Sequence, residues 1–336
     1  MRERADVVVI TGASSGIGRA AAHAFARRGA RLVLAARGPE ALEQAAAECR
    51  SAGARVLAVP TDVGDERQVQ ALAAAALAEF GRIDVWVGAA AVMSYGGIEE
   101  TPLELFRAVM QTNYWGQVHG ARAVLPTFRH QGRGTLVLIG SVYGKVASAY
   151  VAPYVSSKFA LRGLAAVLRQ ELVGVRGIRV ALVLPATVDT PIYQRAANVT
   201  GRRVHPLPPA ITPERVARVI VRVAGRPRPE TTVGLGQRVA VPLAVLWPSG
   251  YARLMRRVMD TAALRRGRRA VPSTDGAALG PQPGTERVTG GWRSTPARVV
   301  ATLAGAALVG GLGAGARRRR ARNDRAAHPR RGRRPG

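Results

Sequence analysis

The chain has 336 residues, with 50 Lys+Arg against 21 Asp+Glu, a net charge of +29 and an apolar fraction of 47%. That apolar content excludes a wholly disordered chain, and the length suffices for one large domain or two ordinary ones. The single cysteine, Cys49, excludes an intrachain disulfide or a multi-cysteine zinc site, and five scattered histidines lack ligand spacing, so no metal is expected.

The chain starts Met-Arg-Glu-Arg and enters an apolar run at once, without the pattern of a secretory leader. Short, nearly continuous apolar runs lie at 7–11, 31–36, 55–60, 85–89, 135–140, 179–184 and 231–235. Runs of this kind mark strands buried on both faces. Ala/Leu-rich helical segments are predicted between them, over 16–29, 39–52, 65–80, 102–131, 153–174, 212–224 and 243–260. Strand–helix alternation with short joints predicts an α/β fold: a Rossmann-type, doubly wound, seven-stranded parallel sheet with helices on both faces. It fills one domain over residues 1–260.

After residue 260 the pattern stops. Residues 261–298 read as a flexible linker, 299–316 carry no charge, and 317–336 form a basic tail. Residues 261–336 hold 17 arginines against three acids. As a helix, 299–316 would reach about 27 Å, just short of the ~30 Å hydrocarbon layer. With arginines beyond it, the segment is expected to lie on the inner face of an anionic membrane, leaving the domain cytoplasmic. The plain alternative is a solvated tail that touches nothing. No aromatic-and-basic reading surface accompanies the charge, which argues against nucleic acid as a partner.

The first strand runs into Thr11-Gly12-Ala13-Ser14-Ser15-Gly16-Ile17-Gly18 and then a helix. Glycines let such a loop turn sharply and approach a pyrophosphate, and the helix that follows presents free N–H groups and its positive dipole end. The same stretch fits a G-x-S-x-G nucleophile elbow, but no downstream histidine follows an obvious strand end. The second strand ends Ala36-Arg37, with no carboxylate for a ribose 2′-hydroxyl and a cation suited to a 2′-phosphate. Asp62-Val63 follows the third strand, placed either to border an adenine or, through Asp62, to cap the next helix.

Tyr154 and Lys158 stand four apart on a predicted helix and so share a face. A nearby ammonium would lower the tyrosine's pKa and fit it for proton transfer as hydride moves. Lys158 is one of only two lysines in the chain. Ser141 ends the fifth strand, where its hydroxyl could polarise a carbonyl. Asn113 lies inside a long predicted helix, which it does not favour, and is either functional or a buried structural amide.

In order and spacing, these motifs over residues 6–260 resemble the single-domain branch of the short-chain dehydrogenase/reductase family. The resemblance implies a catalytic tetrad of Asn113, Ser141, Tyr154 and Lys158. It implies that Thr11, Gly12, Ser14, Ser15, Gly16, Ile17 and Gly18 cradle the pyrophosphate. It further implies that Arg37 favours NADP(H) over NAD(H), that Asp62 and Val63 border the adenine, and that Ala90, Pro185, Val188 and Thr190 join Tyr154 and Lys158 along the cofactor. Two departures stand out. Gly88-Ala89-Ala90-Ala91 replaces the family's N-N-A-G, removing two bracing Asn side chains, and Pro185-Ala186 replaces its Pro-Gly. The expected activity is interconversion of a carbonyl and an alcohol on an apolar small molecule, in a homodimer or homotetramer. The alternatives are a catalytically weak dinucleotide-binding scaffold and nucleic-acid binding through the tail.

Overall fold

Seven apolar strands assemble into one parallel sheet: β1 (Val7–Thr11), β2 (Arg31–Ala36), β3 (Val56–Pro60), β4 (Val85–Gly88), β5 (Gly134–Ile139), β6 (Ile178–Pro185) and β7 (Glu230–Val233). Their order is β7-β6-β5-β4-β1-β2-β3, so the chain winds outward from β1 in both directions. The computed structural model describes residues 5–234, 236–265, 270–282, 284 and 286–292, all within one compact unit. The apolar segment expected at 299–316 and the basic tail at 317–336 lie outside the described residues. Among the described residues no helix is long and apolar enough to cross a membrane.

Strand alternation divides the core between two faces. Val8, Ile10, Leu32, Leu34, Val87 and Val183 pack under α1 (Gly16–Ala26), α2 (Pro39–Ser51) and α7 (Pro213–Gly225). Val7, Val9, Val33, Trp86, Leu136 and Leu182 face α3 (Glu66–Phe80) and the helices that follow β4 and β5. The rim at the strands' starts is pinned by polar groups. Asp84 Oδ2 accepts the Val7 N–H at 3.0 Å, and the Arg82 and Arg133 guanidiniums flank the same carboxylate. The Gln131 amide brackets Ile83, accepting its N–H at 3.0 Å and donating to its carbonyl at 2.6 Å.

The helix expected over 102–131 is α4 (Leu103–Met110), a π-turn (Gln111–Trp115) and α5 (Gly116–Gln131). A π-turn adds one residue to the helical register, and here it puts Thr112 and Asn113 inside. The helix expected over 153–174 is α6 (Ala152–Glu171). That expected over 243–260 divides into α8 (Gly236–Leu246) and α9 (Pro248–Val258), with a π-turn at Met259–Ala263. Pro248 disfavours helical backbone at the residue before it, and Trp247 sits at φ −142° and ψ 66°.

The linker expected over 261–298 is corrected where it is described. Leu264–Arg265 pairs antiparallel with Arg203–Val204. Farther along, Asn198 and Thr274 exchange backbone hydrogen bonds at 2.7 and 3.1 Å, and the Ala277 N–H donates to the Arg195 carbonyl at 2.8 Å. Loop carbonyls and N–H groups of the domain give this segment its partners.

Candidate functional site

The carboxyl ends of β1, β2, β4, β5 and β6 open onto a cavity of about 690 Å³. Parallel doubly wound sheets offer their ligand crevice at this rim. At the end of β1, Gly12 (φ 68°) and Gly16 (φ 53°) adopt left-handed backbone. A Cβ on Gly12 would stand 2.7 Å from the Ala90 backbone, and one on Gly18 would strike the Gly12 carbonyl. Such a loop is built for close backbone approach. Ser15 caps α1 with extended backbone and no side-chain capping bond, and the first turn carries no acid. The loop and helix start therefore offer donors and a positive dipole end, a fit to a dinucleotide's phosphates. Thr11, Gly12, Ser14, Ser15, Gly16, Ile17 and Gly18 lie together here, with Thr190 against Gly16.

Arg37, beyond β2, lines the cavity, and its Nη2 donates to the carbonyls of Ala277 at 2.5 Å and Gly280 at 3.4 Å. Asp62 and Val63 line it below β3. The capping alternative for Asp62 falls to Asp65, whose carboxylate accepts from the Arg67 and Gln68 N–H groups. Asp62 instead closes a turn, accepting the Gly64 N–H at 2.8 Å. Ala90, Pro185, Val188 and Thr190 complete this wall.

Where two asparagines would brace the sheet, this chain places Gln117, a residue that the sequence reading passed over. Its side chain, 2% exposed, occupies the space over Gly88 and reaches the Ala90 carbonyl at 3.5 Å. An asparagine side chain at 88 would collide with it, so Gly88 and Gln117 fit as a pair.

Tyr154, Lys158 and Ser141 converge at the end of β5. Lys158 is 2% exposed, donates to the Ile139 carbonyl at 2.9 Å, and holds its Nζ 5.4 Å from the centre of the Tyr154 ring. Burial pushes its amine down to about 8. Burial pushes the Tyr154 phenol up to about 12, opposed by the hydrogen bond with Ser141. The lowering of the phenol expected from the ammonium is not found: desolvation decides the direction, and Tyr154 is held protonated. Ser141 Oγ also accepts the Tyr143 N–H at 3.2 Å.

Asn113 is fully buried. Its Oδ1 accepts the Val92 N–H at 2.8 Å, and its Nδ2 donates to the Val92 carbonyl at 2.9 Å and to Ser157 Oγ at 3.1 Å. The amide ties the segment after β4 to α6, one residue from Lys158 and three from Tyr154.

The far end of the cavity is apolar and aromatic. Met93, Tyr95, Tyr143, Tyr193, Tyr251 and Met259 line it, and burial raises all four of these phenols. Such groups stay neutral across the ordinary pH range. Among the described residues no cluster of His, Cys, Asp and Glu is arranged to hold a metal.

Comparison with known proteins agrees with this geometry. A model of the short chain dehydrogenase family matches residues 6–199. The chain is 35% identical over 256 residues to the uncharacterized oxidoreductase YxnA of Bacillus subtilis (strain 168), covering 75% of this chain and 72% of that protein. It is 41% identical over 189 residues to a 1-deoxy-11-beta-hydroxypentalenate dehydrogenase of Streptomyces exfoliatus, covering 55% and 68%. A short chain dehydrogenase/reductase from Burkholderia phymatum, solved in complex with NAD, superposes with a TM-score of 0.65 at 28% identity, covering 77% of this chain and 98% of that one.

Proposed function

Because the chain belongs to the short chain dehydrogenase family, and is an oxidoreductase using a nicotinamide dinucleotide, we propose that it is NADP(H)-dependent and interconverts a carbonyl with an alcohol on an apolar small molecule. The observation that carries this reading is the convergence of Tyr154, Lys158 and Ser141 where an apolar cavity meets the glycine loop. Arg37 is the support for the 2′-phosphate: it stands at the end of β2, and no acid accompanies it at position 36.

When bound, the nicotinamide supplies or accepts the hydride at carbon. The residues of the chain handle binding and the proton. Thr11 and the Gly12–Gly18 loop hold the pyrophosphate, Asp62 and Val63 the adenine end, and Ala90, Pro185, Val188 and Thr190 the nicotinamide end. Tyr154 gives its hydroxyl proton to the substrate oxygen in reduction and takes one back in oxidation. A phenol held protonated by burial is suited to start as the acid. Ser141 steadies the substrate oxygen beside it. Lys158, protonated below about pH 8, stabilises the phenolate left after the transfer. Asn113 acts through position: it fixes Val92 and α6, and so the direction of Tyr154 and Lys158.

The substrate end has Met and Tyr walls, which favours an apolar skeleton around the reacting carbon. The relative named as a 1-deoxy-11-beta-hydroxypentalenate dehydrogenase supports an alcohol as the reacting group. Exposed Leu103, Trp115, Phe159 and Val167 on α4, the π-turn and α6 support a homodimer or homotetramer through these helices. The test is purified full-length protein with NADPH and a panel of apolar ketones and aldehydes, followed by loss of nicotinamide absorbance. Tyr154→Phe should abolish turnover and leave NADPH binding nearly intact. A variant that keeps most of its turnover removes Tyr154 from the reaction.

A further inference from the structure

The described residues of 274–292 border the dinucleotide half of the cavity, with Ala277, Pro281 and Glu286 in its wall, and several of their backbone oxygens sit on donor groups there. The Gly16 N–H, at the start of α1, donates to the Arg287 carbonyl at 2.8 Å. Buried Arg19 donates to the Glu286 carbonyl at 2.8 Å. Arg37, the residue assigned to the 2′-phosphate, donates to the Ala277 and Gly280 carbonyls. The Glu286 carboxylate lies 3.7 Å from the guanidinium of Arg195, which in turn donates to Ser15 Oγ at 3.2 Å in the glycine loop. The Arg195 Nε–H is buried with no acceptor among the described residues.

The Gly16 N–H, Arg37 and Arg195 are groups that a phosphate oxygen would use, whereas Arg19 is already paired with the Glu48 carboxylate and only steadies the segment. A segment that sets the Arg287, Ala277 and Gly280 carbonyls and the Glu286 carboxylate on those three groups imitates the charge pattern of a dinucleotide's phosphates. It is also anchored beyond the phosphate-binding groups, in part on the apolar end of the cavity. Asp189 accepts the N–H groups of Gly290 and Trp292 at 3.0 and 2.8 Å, and Gln194 donates to the Gly290 carbonyl at 2.7 Å. The Trp292 ring meets Tyr193 and His205 edge-on. Anchors beyond the phosphate-binding groups and imitation upon them are the features of an internal competitor.

We propose that residues 274–292 are a built-in occupant of the dinucleotide's phosphate sites, which NADP(H) must displace, and that displacement frees Arg195 as a further phosphate-binding residue. This rests on the dinucleotide reading of the site. The segment lowers apparent affinity by the fraction of molecules in which it is seated. It also couples the cofactor to the apolar end of the cavity, because Trp292 leans on Tyr193 there.

The test uses full-length protein and two variants, each titrated with NADPH and NADH by quenching of protein fluorescence. Gly276→Val unseats the segment: Gly276 has φ 53°, and a side chain there would press on the Arg195 carbonyl and on Ala197 N at 2.7 Å. Glu286→Gln keeps the shape and removes the charge facing Arg195. Both should bind NADPH about tenfold tighter, a change of ~1.4 kcal/mol. Tryptic cleavage after Arg287 in the unaltered protein, read by mass spectrometry, should accelerate severalfold at saturating NADPH. Equal or weaker binding by both variants overturns the proposal and leaves the dinucleotide site standing. Protection of the Arg287 bond by NADPH also overturns it, making the segment a roof over bound cofactor. Failure of every form to bind either dinucleotide overturns the site reading, and the occupant with it.

Discussion

Replacing Lys158 by methionine tests the site through stability rather than through turnover. Burial lowers the amine from its ordinary 10.5 to about 8. At pH 7 both the folded and unfolded chains hold the proton, and the cost of burying the charge falls wholly on the fold. As pH rises past 8 the folded protein sheds the proton while the unfolded chain keeps it until about 10.5. The unfolded state then binds more protons, so stability rises with pH through this window. Integrated from pH 7 to 9.5, the gain is about 2 kcal/mol. Tyr154 acts in the opposite sense, but only above pH 10, where the unfolded chain ionises and the folded phenol, at about 12, does not. Urea unfolding of the unaltered protein and of Lys158→Met at pH 7 and 9.5 isolates the effect, because every other titrating group cancels in the difference. The unaltered protein should gain about 2 kcal/mol on the variant over this range. A difference that stays constant would refute the picture of a desolvated Lys158 that gives up its proton near pH 8.

Three further outcomes are expected. Arg37→Ala should reduce the preference for NADPH over NADH by about 5- to 150-fold, equivalent to ~1–3 kcal/mol for a charged hydrogen bond. The ratio from paired titrations cancels any loosening of residues 274–292, and an unchanged ratio would remove Arg37 from cofactor choice. Gln117→Ala should lower unfolding stability by about 1–3 kcal/mol and weaken dinucleotide binding, since Ala90 and the glycine loop lose their backing. Thermal unfolding and the same titrations measure both. Asp84→Ala should cost about 2–3 kcal/mol, leaving the Val7 N–H without its acceptor and Arg82 without its carboxylate, while kcat stays within a factor of two.

The sheet was legible because its strands are buried on both faces, and uninterrupted valine and leucine runs leave no other reading. The glycine loop was equally plain, since its conformation demands the residue type. What the sequence hid was geometry carried by features with no side-chain signature. A π-turn at Gln111–Trp115 adds a residue without disturbing the apolar period enough to show, so one long helix was expected. Gln117 was overlooked because a polar residue on a helix reads as surface until its burial over Gly88 is seen. Residues 274–292 looked like a linker because they bind mostly through backbone carbonyls, which every residue has. The direction of the Tyr154 shift was misjudged for a related reason. Spacing reveals that a lysine is near, but not how much water both groups have lost.

The polar clasp made by Asp84, Arg82, Arg133 and Gln131 lies at the starts of β1, β4 and β5, with a strand's length of sheet between it and Tyr154. Durability and chemistry thus reside at opposite rims of one rigid layer. Variation at the lower rim can harden or soften the protein while leaving the reacting groups where they are, and variation at the upper rim can change the substrate without loosening the clasp. A lineage carrying this arrangement can adjust to a hotter habitat and to a new metabolite by separate mutations, each free of the other's penalty.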